Sequence, residues 1–288
     1  MSKNNPEYDF QWCPGCGDFG VRRAIEQALA GRIVESGEPV ENTVVVAGIG
    51  CSGNMVHLLE GPHPFGIHGI HGRTLPIAFG IKGSRPELNV LVVAGDGDFL
   101  SIGAEHIGPQ AQRNLNVTCV IMDNGVYGLT KGQSSPTTDF GEVTPTTPYG
   151  KIESPVNPQE LFLTYGVSFI ASCYSSRVKE LSALIKEAMA HPGFSVVHVQ
   201  SPCVTYNDTH EEMKGNPTKG IVPRVFPIPE DHDRHSKEAA AALIARGGTP
   251  LGVVYQQPES KPLDVRYAES TANAKPRTAE QLMAAYAV

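Results

Sequence analysis

The chain has 288 residues, 40% hydrophobic and 18% charged, enough apolar content for one large core or two modest ones and unlike a fibrous or disordered composition. A formal net charge of -7 with no basic stripe argues against a nucleic-acid surface, so small molecules and proteins are the expected partners. The opening MSKNNPEYDF has no basic stretch leading into an apolar run, and no window approaches the ~18 apolar residues of a membrane span, so a cytoplasmic protein is expected.

Along the chain, short β-branched runs alternate with longer amphipathic segments, as in successive βαβ units, which predicts a parallel sheet covered by helices. The pattern predicts a helix over 17–30, a strand at 43–47, a helix near 74–82 and a strand at 89–94. A helix near 101–113 and a strand at 117–122 follow, then a Gly/Ser/Thr/Pro-rich stretch over 125–158 and a further helix. A strand at 167–171, a helix over 177–190 and a strand at 195–200 complete the set, and residues 1–226 are read as one domain. From 227 the pattern gives way to charged, proline-containing sequence with one Ala-rich helix near 237–245, read as a tail over 227–288 that packs on a partner chain.

The chemically unusual residues fall directly after strands, which in a parallel sheet gathers them at its carboxyl edge, where ligands bind. Cys51 follows the first strand, Gly95-Asp96-Gly97-Asp98 the second, Asp123-Asn124 the third and Pro202-Cys203 the last. Mg²⁺ takes oxygen ligands in octahedral array and holds diphosphates through one or two carboxylates or carbonyls, and Asp96 and Asn124 supply both. Gly95 and Gly97 let the backbone approach a diphosphate, and the helix after them turns its first amides toward that charge. Alone, GDGD is a turn; the asparagine one βα unit later makes the pair a candidate site.

Six cysteines are too few for a disulfide scaffold, and Cys13-Pro14-Gly15-Cys16 has the spacing of a metal or redox pair. With Cys51 and Cys203 it makes four thiolates, a set that zinc and a 4Fe-4S cluster both accept, so spacing leaves the two open. Cys119 inside a strand and Cys173 just beyond one read as small buried hydrophobes.

Gly95-Asp96-Gly97 through Asn124 resembles the thiamin-diphosphate motif, which implies Mg²⁺ held by Asp96, Asn124 and the backbone carbonyl of Val126. Trp12-Cys13-Pro14-Gly15-Cys16-Gly17, Gly50-Cys51-Ser52-Gly53 and Cys203 resemble the cluster-binding segments of the β subunits of 2-oxoacid:ferredoxin oxidoreductases. The similarity runs over residues 11–223 and takes in His71-Gly72-Arg73 and the run from Asp123 to Gln133. It implies an α/β thiamin-diphosphate-binding fold of three layers with a central parallel sheet, and a 4Fe-4S cluster on Cys13, Cys16, Cys51 and Cys203. It further implies cofactor contacts from Gly95, Asp96, Gly97, Asp98, Asn124, Val126, Leu129, Thr130, Cys51 and Ser52, with His71 lining the pocket. His68 reads as a core histidine. A cluster beside thiamin diphosphate gives the electrons of decarboxylation somewhere to go, which zinc would not.

Lys131 bears on the substrate: an ammonium near the reacting carbon pairs with a second carboxylate, which favours 2-oxoglutarate over pyruvate. A solvated loop charge, or a ligand of a coenzyme A phosphate, is the competing reading of that lysine. No segment resembles the glutamate that hydrogen-bonds the aminopyrimidine ring of thiamin diphosphate. The resemblance therefore implies an α subunit carrying a pyrimidine-binding domain, an αβ or (αβ)₂ assembly, ferredoxin as electron acceptor and coenzyme A as acyl acceptor. The expected reaction is oxidative decarboxylation of 2-oxoglutarate to succinyl-CoA, in either direction. Pyruvate or a broad 2-oxoacid range, a non-redox thiamin decarboxylase with structural zinc, and a scaffold that has lost its cofactor are the rival readings.

Overall fold

The structure, a computed structural model, describes residues 12–61 and 64–287. The opening stretch read above for a leader lies outside the described residues, as does the first residue of the family similarity. In chain order the first half holds helix α1 (Asp18–Ser36), strand β1 (Thr43–Ala47), α2 (Met55–Leu58), β2 (Phe65–His68), α3 (Thr74–Ser84), β3 (Asn89–Gly95), α4 (Ile107–Arg113) and β4 (Val117–Asp123). A small hairpin of β5 (Val126–Tyr127) and β6 (Gln133–Ser134) comes next, then α5 (Pro158–Tyr165), β7 (Phe169–Tyr174), α6 (Val178–Ala190) and β8 (Phe194–Gln200). The rest comprises α7 (His210–Lys214), β9 (Val225–Pro227), α8 (Lys237–Ile244), β10 (Thr249–Gln256), α9 (Leu263–Thr271) and α10 (Ala279–Ala284).

Eight strands form one sheet in the order β2-β1-β3-β4-β8-β7-β10-β9. Every pairing from β2 to β7 is parallel; β10 runs antiparallel to β7 and carries β9 parallel to itself. The central strands are buried along almost all of their length and mostly apolar because both faces are covered. Successive residues point to opposite faces. Val44, Val46, Val90 and Val92 join one core cluster with Leu75 of α3, Phe162 of α5 and Ala240 of α8. Val45, Ala47, Leu91 and Val93 join a second cluster with Val21 and Ile25 of α1 and Leu181 and Ile185 of α6. Three layers result, with the mostly parallel sheet in the middle. Local chemistry sets the helix ends: Asn157 caps α5 by accepting from the amides of Gln159 and Glu160, Pro158 takes the first turn, and Gly166 ends the helix at φ 79°.

Four features differ from the sequence expectation. The helix expected over 101–113 is divided into a π-type turn over Asp98–Ile102, a short 3₁₀ turn over Ala104–His106, and α4. Gly103 lies between the first two, where a Cβ would meet the carbonyl oxygens of Asp98 and Phe99 at 2.7 and 3.0 Å. β2 was not anticipated; all four of its residues are exposed, so no buried apolar run announces it. The stretch over 125–158 contains the hairpin of β5 and β6. The segment from 227 is not all tail, since β10 hydrogen-bonds within the sheet and Leu243 and Ile244 of α8 reach the core. Beyond it, α9 and α10 bury none of their residues. Among the described residues no helix is long and apolar enough to cross a membrane.

Candidate functional site

The parallel strands β1, β3 and β4 all end at one edge, and a cavity of 190 Å³ opens there. Its wall includes Cys51, Ser52, His71, Gly95, Asp96, Gly97, Asp98, Asn124, Val126, Leu129 and Thr130, together with Asp18 and Tyr127. A more polar cavity of 180 Å³ shares Asn124 with it and is walled by Asp123, His198 and Arg224 among others.

Asp96 is 2% exposed. Its carboxylate accepts from the Ser135 hydroxyl and from the Asn124 backbone amide at 3.4 Å, and Thr137 Oγ1, with a single proton to share between Asp96 and Asp123, lies 2.8 Å away. Burial, reinforced by the neighbouring Asp123 carboxylate, pushes the Asp96 carboxyl up from its usual range. A buried acid that resists ionising beside a second acid is a donor set that a cation relieves, so Asp96 and Asn124 fit Mg²⁺. Asp123 lies on the other side of Thr137, whose Oγ1 is 2.7 Å from it. Burial alone would raise Asp123, but the hydrogen bond and charge of His198, with the Thr137 hydroxyl and the Gly125 amide, hold it below the usual carboxylate range. Gly97 is glycine for a packing reason: a Cβ there would sit 2.3 Å from the ring of Tyr127, whose hydroxyl donates to the Gly97 carbonyl at 3.3 Å. The Ser52 hydroxyl would be 3.2 Å from a Cβ on Gly95.

The cysteines gather beside this cavity. Cys51 follows β1, its carbonyl accepting from Trp12 Nε1 at 2.7 Å, and the Cys16 amide closes the CxxC turn onto the Cys13 carbonyl at 3.0 Å. Gly17 brings that turn against the loop of Cys203: its amide donates to the Pro202 carbonyl at 3.1 Å, and a Cβ on it would lie 2.7 Å from the backbone of Ser201. A Cβ on Gly128 would lie 3.6 Å from the Cys203 sulfur and 3.7 Å from that of Cys51. Burial first, then the charge of Asp18, pushes the Cys51 thiol up to about 12 and that of Cys16 higher still. Thiols so placed become thiolates only when a cationic centre compensates, which is the chemistry of a metal-cluster donor set. Among the described residues no group of three or more His, Cys, Asp or Glu converges tightly enough to hold a single metal ion. Cys119 and Cys173 are fully buried in β4 and β7, where burial raises both thiols, matching their reading as hydrophobes.

Other expected residues are placed less centrally. Lys131 is exposed, outside the cavity wall, at the turn between β5 and β6, with φ 88°. A lysine in the left-handed region carries strain of order 1 kcal/mol or more, and such strain clusters at functional loops. The Thr130 hydroxyl is engaged by Gln133 Oε1 at 2.6 Å. His71 lines the cavity and bonds Asp98, whereas His68 is not a core histidine: it is exposed at the end of β2 and lies against His57 at 2.9 Å.

Sequence reasoning passed over several contributors. Asp18, two residues past the CxxC pair and 2% exposed, accepts from Ser201 Oγ at 2.6 Å, and burial pushes its carboxyl up to about 6. Asn207 donates from its side chain to the Asn124 carbonyl at 2.9 Å and from its amide to the Cys203 carbonyl at 2.9 Å, linking the two halves of the site. Ser135 and Thr137 sit in the run Ser134-Ser135-Pro136-Thr137-Thr138, whose density of hydroxyls was the one signal available.

Residues 48–199 match the family described as "Thiamine pyrophosphate enzyme, C-terminal TPP binding domain". The chain is 41% identical over 263 residues to a 2-oxoacid:ferredoxin oxidoreductase subunit beta from a Sulfolobus species, covering 89% of this chain and 84% of that one. To the 2-oxoglutarate synthase subunit KorB of Archaeoglobus fulgidus it is 41% identical over 203 residues, 70% of this chain and 72% of the relative. Among solved structures, the 2-oxoglutarate:ferredoxin oxidoreductase of Magnetococcus marinus, with 2-oxoglutarate, coenzyme A and succinyl-CoA bound, superposes with a TM-score of 0.84 at 36% identity. That superposition covers 98% of this chain and 94% of that one.

Proposed function

Because the chain belongs to the β subunits of the 2-oxoacid:ferredoxin oxidoreductases, we propose that it is the cofactor-bearing half of a cytoplasmic 2-oxoglutarate:ferredoxin oxidoreductase. In this reading the enzyme forms succinyl-CoA and CO₂ from 2-oxoglutarate and coenzyme A, passes two electrons to ferredoxin, and runs in either direction. The observation that carries it is the meeting of Asp96, Asn124 and the cysteine loops around one cavity.

Asp96, Asn124 and the Val126 carbonyl would hold Mg²⁺ against the diphosphate, and Cys13, Cys16, Cys51 and Cys203 would hold a 4Fe-4S cluster. Thiamin diphosphate, when bound, supplies the electron sink for decarboxylation and the cluster supplies the exit for electrons. The chain's own task is to orient these groups. Ser135 and Thr137 fix the Asp96 carboxylate, and Asn207 ties the Asn124 backbone to the Cys203 loop.

Two observations support the partner and the substrate. Ile49 and Leu129 of the cavity wall are 38% and 41% exposed, and Ile70, next in the chain to the wall residue His71, is 72% exposed, an apolar surface suited to an α subunit that brings the pyrimidine-binding domain in an (αβ)₂ assembly. The strained Lys131 supplies a cation for the second carboxylate of 2-oxoglutarate, and the Archaeoglobus and Magnetococcus proteins carry 2-oxoglutarate in their names.

The test is anaerobic purification with the adjacent α subunit, followed by iron and sulfide analysis and low-temperature EPR before and after 2-oxoglutarate. About four irons per chain, reduced by substrate, is the expected result. One zinc and no iron would replace this reading with a non-redox thiamin decarboxylase.

A further inference from the structure

Among the side chains of the cavity wall, Asp98 and His71 form a unit that binding of Mg²⁺ and diphosphate does not explain. Asp98 is 2% exposed and its Oδ1 is shared by three donors. It accepts from the Ile49 amide at 3.1 Å and from the Gly72 amide at 2.8 Å, and it lies 2.5 Å from His71 Nδ1. Ile49 belongs to the loop after β1, His71 and Gly72 to the loop after β2, and Asp98 to the turn after β3. One oxygen therefore fastens three strand-end loops together. Gly48 leaves room for the carboxylate, since a Cβ there would lie 1.8 Å from Asp98 Oδ2, and Gly72 adopts φ 71° in a position where a Cβ would meet the Ile102 backbone at 2.7 Å.

The direction of the histidine bond follows from the other two. Oδ1 receives two backbone N–H groups, so it bears no hydrogen, and the third contact is a donation from His71 Nδ1. A neutral His71 ring is thereby held as the Nδ1–H tautomer, the less favoured form of a free imidazole. Its Nε2 has no partner among the described residues, the side chain is 35% exposed, and the ring stands edge-on to Tyr127 at 6.3 Å in the same wall. We infer that Asp98 is a positioning residue whose bond to His71 Nδ1 presents Nε2 to the cavity as a hydrogen-bonding group for the bound ligand. A histidine oriented by a carboxylate in this way acts through the nitrogen the carboxylate does not touch.

The kinetic half of the test rests on the function proposed above; the spectroscopic half does not. The full-length chain, ¹⁵N-labelled at histidine, is examined by long-range ¹H–¹⁵N correlation, with the His71 signals identified by their loss in His71→Gln. The wild-type ring is expected as Nδ1–H, and Asp98→Ala is expected to move it toward Nε2–H. In the assembled αβ enzyme, His71→Gln and Asp98→Ala should each lower kcat/KM by about 10- to 100-fold, and the double variant should be no worse than the poorer single one. A His71 tautomer unchanged in Asp98→Ala, or losses that multiply in the double variant, would overturn the inference. If Asp98→Ala does not fold, Asp98→Asn takes its place, because its side-chain oxygen still accepts the two amides. A mixed tautomer is then expected, and a ring that stays wholly Nδ1–H with wild-type kcat/KM counts against the proposal. A wild-type assembly that oxidises no 2-oxoacid defeats the proposed function and leaves the tautomer result standing.

Discussion

His198 and Asp123 meet across the neighbouring parallel strands β8 and β4, Nε2 donating to Oδ2 over 2.8 Å with both side chains all but sealed from solvent. The pair lines the same polar cavity as Asn124 and keeps the Asp123 carboxylate satisfied where burial would otherwise penalise it. Replacing His198 by Phe fills the space and leaves a buried carboxylate without its strongest donor. Unfolding in urea should show a loss of about 2–4 kcal/mol, and a loss below about 0.5 kcal/mol would mean that Thr137 and Gly125 suffice.

The cysteines divide into two kinds, and substitution should separate them. Cys203→Ala, at the edge of the site, is expected to lower iron and sulfide content in the anaerobically purified assembly and to remove the low-temperature EPR signal. Cys119→Ala, inside β4, should keep both and cost roughly 1 kcal/mol of stability through the small cavity it leaves. Equal iron loss in the two variants would count against the four-cysteine assignment.

Lys131 yields two effects of opposite sign. Lys131→Gly removes the strain of φ 88° and should raise the melting temperature, the equivalent of about 1 kcal/mol. Lys131→Met should lower the ratio of kcat/KM for 2-oxoglutarate over pyruvate by about 10- to 100-fold, as expected for losing a charge-assisted pair. An unchanged ratio would remove Lys131 from substrate selection.

His191 sets a pH dependence remote from the cavity. It is 6% exposed, its Nε2 lies 3.0 Å from Ser168 Oγ, and burial pushes its ring down to about 4 from 6.5. The native state then binds fewer protons than the unfolded chain between those values, so stability rises with pH across that window and is lost as pH falls through it. After allowance for solvent screening the contribution is about 2 kcal/mol. His191→Gln should flatten denaturation midpoints between about pH 4 and 6.5; an unaltered slope would assign the dependence to other groups.

Much of the architecture was legible because it is local or periodic. The β-branched runs of β1, β3, β4 and β8 are mostly apolar, since both faces are covered, and unusual residues immediately after such runs must share the sheet's carboxyl edge. β2 escaped because its side chains are exposed and carry no burial pattern. β10 escaped because Pro250 and Gly252 interrupt the strand signal; one sits next to the parallel strand β9 and the other, at φ 137°, just before a register shift against β7.

The sequence by itself determined the donor types and their order along the chain: a carboxylate and an amide one βα unit apart, and four thiols on three loops. Covalent order and hydrophobic period suffice for that, because a parallel sheet carries each strand end to the same rim. Only the tertiary structure decided which groups serve those donors. The hydroxyls of Ser135 and Thr137 return to Asp96 from a strand and a hairpin away, Asn207 joins Asn124 to Cys203 across 83 residues of chain, and Asp98 binds three loops through one oxygen. Such bonds depend on distances of about 3 Å between segments far apart in sequence, set by the packing of both faces of the sheet and by no local pattern of residues.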